Sequence, residues 1–166
     1  MATIKLPHFG MLDAEALNEY YDVDIDFNNS TIQVDLNFDA KTIDIKRLEV
    51  VKHFIENIRI HDISNRKHIV QDFDDEDGDT VLFYIEHHLE ELATDDLNQL
   101  IGTNKKTADR PRLLLQQLHL VRVGLYPDST DQFAIFDYSI GKDLTNYLVV
   151  INTDENGNMD YMTMES

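Results

Sequence analysis

YYDVDIDFNNSTIQVDLNF, residues 20–38, decides the fold class. Tyr21, Val23, Ile25 and Phe27 alternate with Asp22, Asp24 and Asp26, and Ile32, Val34, Leu36 and Phe38 alternate with Gln33, Asp35 and Asn37. Two runs of period two around a polar centre are the mark of half-buried antiparallel strands joined as a hairpin. Parity restricts the join. The apolar residues are odd-numbered in the first run and even-numbered in the second, and paired residues share a face. The loop around Asn28, Asn29 and Ser30 must therefore hold an even number of residues. An odd loop would set each aspartate against an apolar side chain and turn one core face outward. The hairpin is expected to present Asp22, Asp24, Asp26 and Asp35 to water.

Beyond this hairpin the period changes. Ile45, Leu48, Val51, Ile55 and Ile58 recur at three and four, which predicts one amphipathic helix over 42–61. Ser64 is placed to cap a shorter helix through Ile69 and Val70. Leu82, Ile85, Leu89 and Leu92 mark another helix, with Asp79 or Thr80 at its cap. Thr94, Asp95 and Asp96 open a further piece that Gly102 ends, and Pro111 sits in the first turn of a helix reaching Leu118.

The last third returns to strands: His119–Tyr126, Phe133–Ile140, Tyr147–Ile151 and Met159–Met164. Segregated runs of strand, helix and strand predict an α+β fold. The expected architecture is an antiparallel sheet, made of the N-terminal hairpin and about four C-terminal strands, with the helices packed on one face. No repeat or long linker divides residues 1–166, so one domain is expected.

Composition narrows the function. With no cysteine there is no disulfide, thiolate metal site or cysteine nucleophile. The opening MATIKLPHFG lacks the pattern of a signal peptide, and no apolar run is long enough to span a bilayer, so a cytoplasmic protein is expected. The net charge is −18, and residues 69–104 contain no Lys or Arg at all. Such a charge repels nucleic-acid phosphates and anionic membranes, so neither is expected as a direct partner. It suits a basic protein partner, and it also serves plain solubility.

Familiar catalytic motifs (GxSxG, HExxH, GxGxxG and a complete phosphate loop) are absent from the sequence, and SIGKD (139–143) reads as a turn between strands. His53 and His61 are two turns apart on the expected first helix, too far to share a metal. His87 with Glu90, and His88 with Glu91, each offer two ligands from one helix face, but nothing names a third. They read as surface pairs. The acid run DFDDEDGD (72–79) fails as a calcium loop, because Gly78 in sixth place puts Phe73 first and Tyr84 twelfth. It reads as a solvated loop whose last carboxylate caps the next helix.

NTDENGNMD (152–160) comes closer. Asn152, Asp154, Asn156, Gly157 and Asp160 fit a calcium loop, until Thr163 stands where the closing glutamate belongs. The same residues form a hairpin if Asn156 and Gly157 are the centre of a type I′ turn. Ile151 then faces Met162, Val149 faces Met164, Val150 meets Thr163 and Asn152 meets Tyr161. The hairpin asks for fewer assumptions. No metal ligand, catalytic residue or cofactor site is therefore assigned, with weak divalent-metal contact at 152–160 or at Asp22, Asp24 and Asp26 left as an alternative.

KLPHFGMLD, YYDVDIDF with TIQVDLNF, and the closing FDYSIGKDLTNYLVVINTDENGNMDYMTMES resemble a bacterial domain-of-unknown-function family of short acidic cytoplasmic proteins. The resemblance spans essentially the whole chain and implies no established activity, cofactor or catalytic residue. Some loosely similar families look like immunity proteins of toxin systems. The expectation is a non-enzymatic protein-binding module, of immunity or adaptor type, and the alternative is a weak divalent-metal binder or an uncatalogued hydrolase.

Overall fold

A computed structural model describes residues 2–166. Two short strands open it, β1 (Thr3–Leu6) and β2 (Gly10–Asp13), followed by the expected hairpin of β3 (Tyr20–Phe27) and β4 (Ser30–Asn37). Helices α1 (Ile45–Glu56), α2 (Ile58–Asp74), α3 (Val81–Glu91), α4 (Thr94–Ile101) and α5 (Arg110–Leu115) come next. Strands β5 (His119–Leu125), β6 (Ala134–Ser139), β7 (Leu148–Thr153) and β8 (Met159–Glu165) close the chain. The fold is α+β. β1 and β2 pair with each other, and β3 to β8 form a six-stranded sheet in sequence order.

The loop of the β3–β4 hairpin is even, as parity requires. Asn28 (φ 49°) and Asn29 (φ 62°) form it, and asparagine tolerates this left-handed region. Tyr21 meets Leu36, Val23 meets Val34, and Ile25 meets Ile32. The sheet departs from the expected wholly antiparallel pattern at β4 and β5, which pair parallel. The helical block is the long crossover that a parallel pair needs, and it returns the chain to the end of the sheet where β4 began. β1 and β2 escaped the sequence reading because four residues are too few to display an alternation, although Leu6 and Leu12 are buried.

The expected helix over 42–61 is two helices. Asn57 interrupts it, its side-chain amide donating to the His53 carbonyl at 2.8 Å in competition with the helix's own bonding. Ser64 starts nothing, since α2 runs on to Asp74. Periodicity misleads here because α2 buries Asp62 and Asn65 while exposing Ile60, Ile63 and Val70. The buried aspartate is satisfied: Tyr138 Oη donates to it at 2.7 Å and Arg66 Nε at 3.0 Å. Phe54 of α1 packs on Phe133 and Phe136, and His61 of α2 stacks on Phe54 with ring centres 4.2 Å apart.

The acid run is less loop than expected, because α2 includes Asp72 and Asp74. Asp72, rather than Asp79, caps α3, accepting from Val81 N–H at 2.7 Å and Thr80 N–H at 3.3 Å. Further along, α3 is latched to the segment joining β6 and β7. Tyr84 Oη donates to the Tyr147 carbonyl at 3.0 Å, and His88 Nε2 lies 2.8 Å from Thr145 Oγ1. Gly102 (φ 91°) ends α4 and Pro111 lies in the first turn of α5, both as expected, though α5 stops at Leu115. Among the described residues, no helix is long and apolar enough to cross a membrane.

The 152–160 segment is a hairpin with the expected register: Val149 faces Met164, Val150 Thr163, Ile151 Met162 and Asn152 Tyr161. Its turn is not type I′. Gly157 alone takes positive φ (82°), its N–H donates to the Asp154 carbonyl at 3.1 Å, and the register shifts by one residue before Thr153 meets Met159. Asp154 favours this form because its carboxylate accepts from the N–H groups of Asn156 and Asn158, each at 2.9 Å. Gly157 is doubly constrained, since a Cβ there would run into the His61 ring. We expect Gly157→Ala to lose about 2 kcal/mol, from the left-handed backbone and the displaced ring together, in urea unfolding.

His88 supplies a pH-dependent test. Its Nδ1 is 2.7 Å from the Tyr84 carbonyl, so that nitrogen carries the proton and Nε2 accepts from Thr145. Burial lowers its pKa, with the Tyr84 carbonyl opposing and His87 adding to the shift. Below the ordinary histidine value of about 6.5 the unfolded chain takes up a proton that the folded chain resists, so this contribution to stability is complete above that value and fades as pH falls. The stability advantage of the native protein over His88→Gln should therefore be larger at pH 7.5 than at pH 5, measured by denaturant titration at both.

Candidate functional site

Parity decides what the second face of the large sheet carries. In β3 and β4 it takes the residues between the core positions, namely Asp22, Asp24 and Asp26, then Gln33, Asp35 and Asn37. On β5, strict alternation from the buried Leu120 would turn Arg122 into the core. A register shift prevents this, for Leu120 pairs with Tyr138 and Arg122 with Asp137, leaving Val121 as the extra residue. The bulge reverses the parity, so Arg122 lies on the second face while Val123 and Leu125 return to the core.

Arg122 is the centre of that face. Its Nε and Nη2 donate to the two oxygens of Asp35 at 2.7 and 3.0 Å, and Nη1 reaches Asp137 at 3.3 Å. Asn37 adds a bond to Asp35 at 2.7 Å. Gly124 makes room for this, because a Cβ there would lie 2.5 Å from Arg122 Nη2 and 3.2 Å from Asp35 Oδ1. Burial works against the Arg122 charge, but the bonds to Asp35 override it and hold its pKa above the ordinary arginine value. At Asp137 burial wins and raises the pKa against the pull of Arg122.

Asp35 therefore corrects an expectation. Parity places it on the same face as Asp22, Asp24 and Asp26, but it is completely buried and bound to Arg122. The hairpin pattern identifies the face, whereas the neighbour across the parallel pair decides whether water reaches it. The three β3 aspartates do stand in water, with Gln33 Nε2 donating to Asp22 at 3.4 Å and to Tyr20 Oη at 3.3 Å. At one end of the face a cleft of about 390 Å³ opens between Asn37, Asp39, Tyr126, Asp128, Asn152 and Tyr161. Arg122, Asp137 and this cleft were missed from sequence. The available signal was a lone arginine inside the apolar run LVRVGL, since a charge in a buried strand needs a partner.

The other candidates separate. His88 is buried and bonded on both ring nitrogens, so it is no surface pair with Glu91. His87 stays beside it, in edge contact with Tyr147. His53 and His61 fall on different helices, and His61 packs between Phe54 and Gly157. SIGKD turns from β6 into β7. At 152–160, Asp154 spends its oxygens on Asn156 and Asn158, and Asn152 is buried. The β3 aspartates are spaced roughly 7 Å apart along one strand face, wide for ligands of a single cation. Among the described residues, no three His, Asp or Glu side chains form a metal-holding group.

No family model, curated protein or solved structure matches the chain. The site is read from its own geometry. A guanidinium committed to Asp35 and Asp137 is not free to take an anion, and the exposed charges around it, Asp22, Asp24, Asp26, Asp39 and Asp128, are all carboxylates. The face can receive cations. Arg122→Leu leaves Asp35 buried without its counter-charge and should cost about 3–5 kcal/mol in urea unfolding. Joint replacement of Asp35 and Arg122 by leucine should cost less than that single change, which a double-mutant cycle measures.

Proposed function

We propose that this chain is a non-enzymatic protein-binding module whose partner presents a basic surface. The observation that carries the reading is the second face of the sheet. Phe54 of α1 and Asp62 of α2 meet Phe136 and Tyr138 of β6, whose side chains are buried in the core. On the face between the core positions, Asp22, Asp24 and Asp26 are exposed, and Arg122 is held by Asp35 and Asp137. Like-charged exposed carboxylates, beside a cleft whose rim adds Asp39 and Asp128, favour lysine and arginine side chains and speed the encounter with them. Membership of the acidic bacterial family, a cytoplasmic location, and an immunity or adaptor role belong to the same proposal. They accord with a charge of −18 and the quoted motifs.

The test is an affinity capture from the cell of origin with the native chain and with Asp22, Asp24 and Asp26 all replaced by asparagine. A basic protein retained by the native chain at low salt, released at high salt, and absent with the triple variant is expected. Recovery of no basic protein, or equal recovery by both chains, would overturn the reading.

A further inference from the structure

The two edges of the large sheet are not equivalent, and backbone parity says how. Tyr126 N–H donates to the Phe133 carbonyl at 2.8 Å, so by alternation Gly124 with Ile135 and Arg122 with Asp137 are the bonded pairs of β5 and β6. Ala134, Phe136 and Tyr138 therefore turn their backbone groups to β7, which leaves Val150 and Asn152 to bond Thr163 and Tyr161 on β8. The bond from Asp154 N–H to the Asn158 carbonyl, at 3.0 Å, gives the same parity from the turn. On β8 the residues whose N–H and C=O point away from the sheet are Met162 and Met164. Among the described residues, nothing bonds to either pair of groups.

At the opposite edge, the two-residue loop makes Phe27 and Ser30 a bonded pair, so Val23 and Ile25 turn their backbones to β4. The outward groups belong to Asp22, Asp24 and Asp26, and an arriving strand would meet a carboxylate at each one. That edge is guarded in the usual way, by charge. The β8 edge offers methionines instead. Their side chains are partly buried on the core side and border a groove of about 520 Å³ shared with Asp79, Thr80, Phe83 and Tyr147. Phe83 is 63% exposed there.

We propose that β8 is a docking edge, which takes an extended segment of a partner polypeptide as a seventh strand, apolar at alternate positions and basic between them. Partner residues opposite Met162 and Met164 share their face, so their side chains enter the groove against Phe83, and apolar ones fit. The intervening residues project beside Glu165 on the other face, where lysine or arginine is complementary. A second copy of this chain is the poorer occupant, because it brings another −18 charge and its own Asp160 and Glu165 to the contact. The edge lies across the sheet from the β3 aspartates, so it stands independently of the basic-face reading.

The test uses the full-length ¹⁵N-labelled chain and three acetylated heptapeptides: alternating Leu and Lys, the same composition with its leucines contiguous, and alternating Leu and Glu. The alternating Leu–Lys peptide should slow amide exchange at Met162 and Met164 and leave the already bonded Tyr161 and Thr163 unchanged. Met164→Pro removes one outward N–H without touching the β7 ladder and should weaken binding about tenfold. Met164→Lys keeps the backbone and should weaken it by setting a charge against the peptide's leucines. The proposal fails if those amides gain no protection, if the contiguous or Leu–Glu peptide binds as tightly, or if both Met164 variants bind like the native chain. It also fails if sedimentation finds a dimer that Met164→Pro dissociates, since the edge then belongs to a second copy.

Discussion

A β-strand alternates its side chains between two faces and its backbone groups between two edges, and one period of two ties these together. Much of the molecule follows from that tie. In β3 the residues excluded from the core are also the residues with free backbone groups, and all three within the Tyr21–Phe27 stretch are aspartates. One residue type thus keeps the face wet and the edge closed. In β8 the phase is opposite. The partly buried Met162 and Met164 carry the free backbone groups, so apolar surface and hydrogen-bonding edge coincide. The same constraint makes the bulge at Val121 consequential, because a single inserted residue reverses which side of β5 carries Arg122.

Charge is handled by position. Where a carboxylate is buried, a partner comes with it: Arg122 and Asn37 for Asp35, Tyr138 and Arg66 for Asp62. A pair of this kind is costly to assemble and costlier to break, so it defines an arrangement more than it adds stability. Where carboxylates are exposed they have little to oppose them, and the field of the whole chain is negative. These two treatments of one residue type divide the candidate face into an ordered centre and an open acidic margin.

Much of the architecture was legible in residues 20–38 and 148–165, where alternation is clean and turn residues bound each run. The even loop at Asn28 and Asn29, the register of the 149–164 hairpin, and the ends of α4 follow from local chemistry. Legibility failed where side chains answer to distant neighbours. The run through Asn57 has helical periodicity on both sides, yet α2 turns Asp62 inward because Tyr138, far along the chain, supplies the hydrogen bond. Asp79 is the nearer cap for α3, but the close of α2 brings Asp72 to the Val81 N–H. Asn156-Gly157 favours one turn in isolation, and Asp154 together with the seat of His61 on Gly157 selects another.

The sequence by itself determined the β3–β4 hairpin, the four C-terminal strands, the helical character of the block between them, and that three aspartates of β3 face water. These depend on periods and propensities that act within a few residues. Only the tertiary structure decided that β4 and β5 run parallel, that Asp35 is buried, and that Arg122 stands at the centre of the second face. It also decided which methionines expose their backbone. Each of these depends on what an adjacent strand brings, from residues separated by most of the chain, and no local pattern encodes that neighbour.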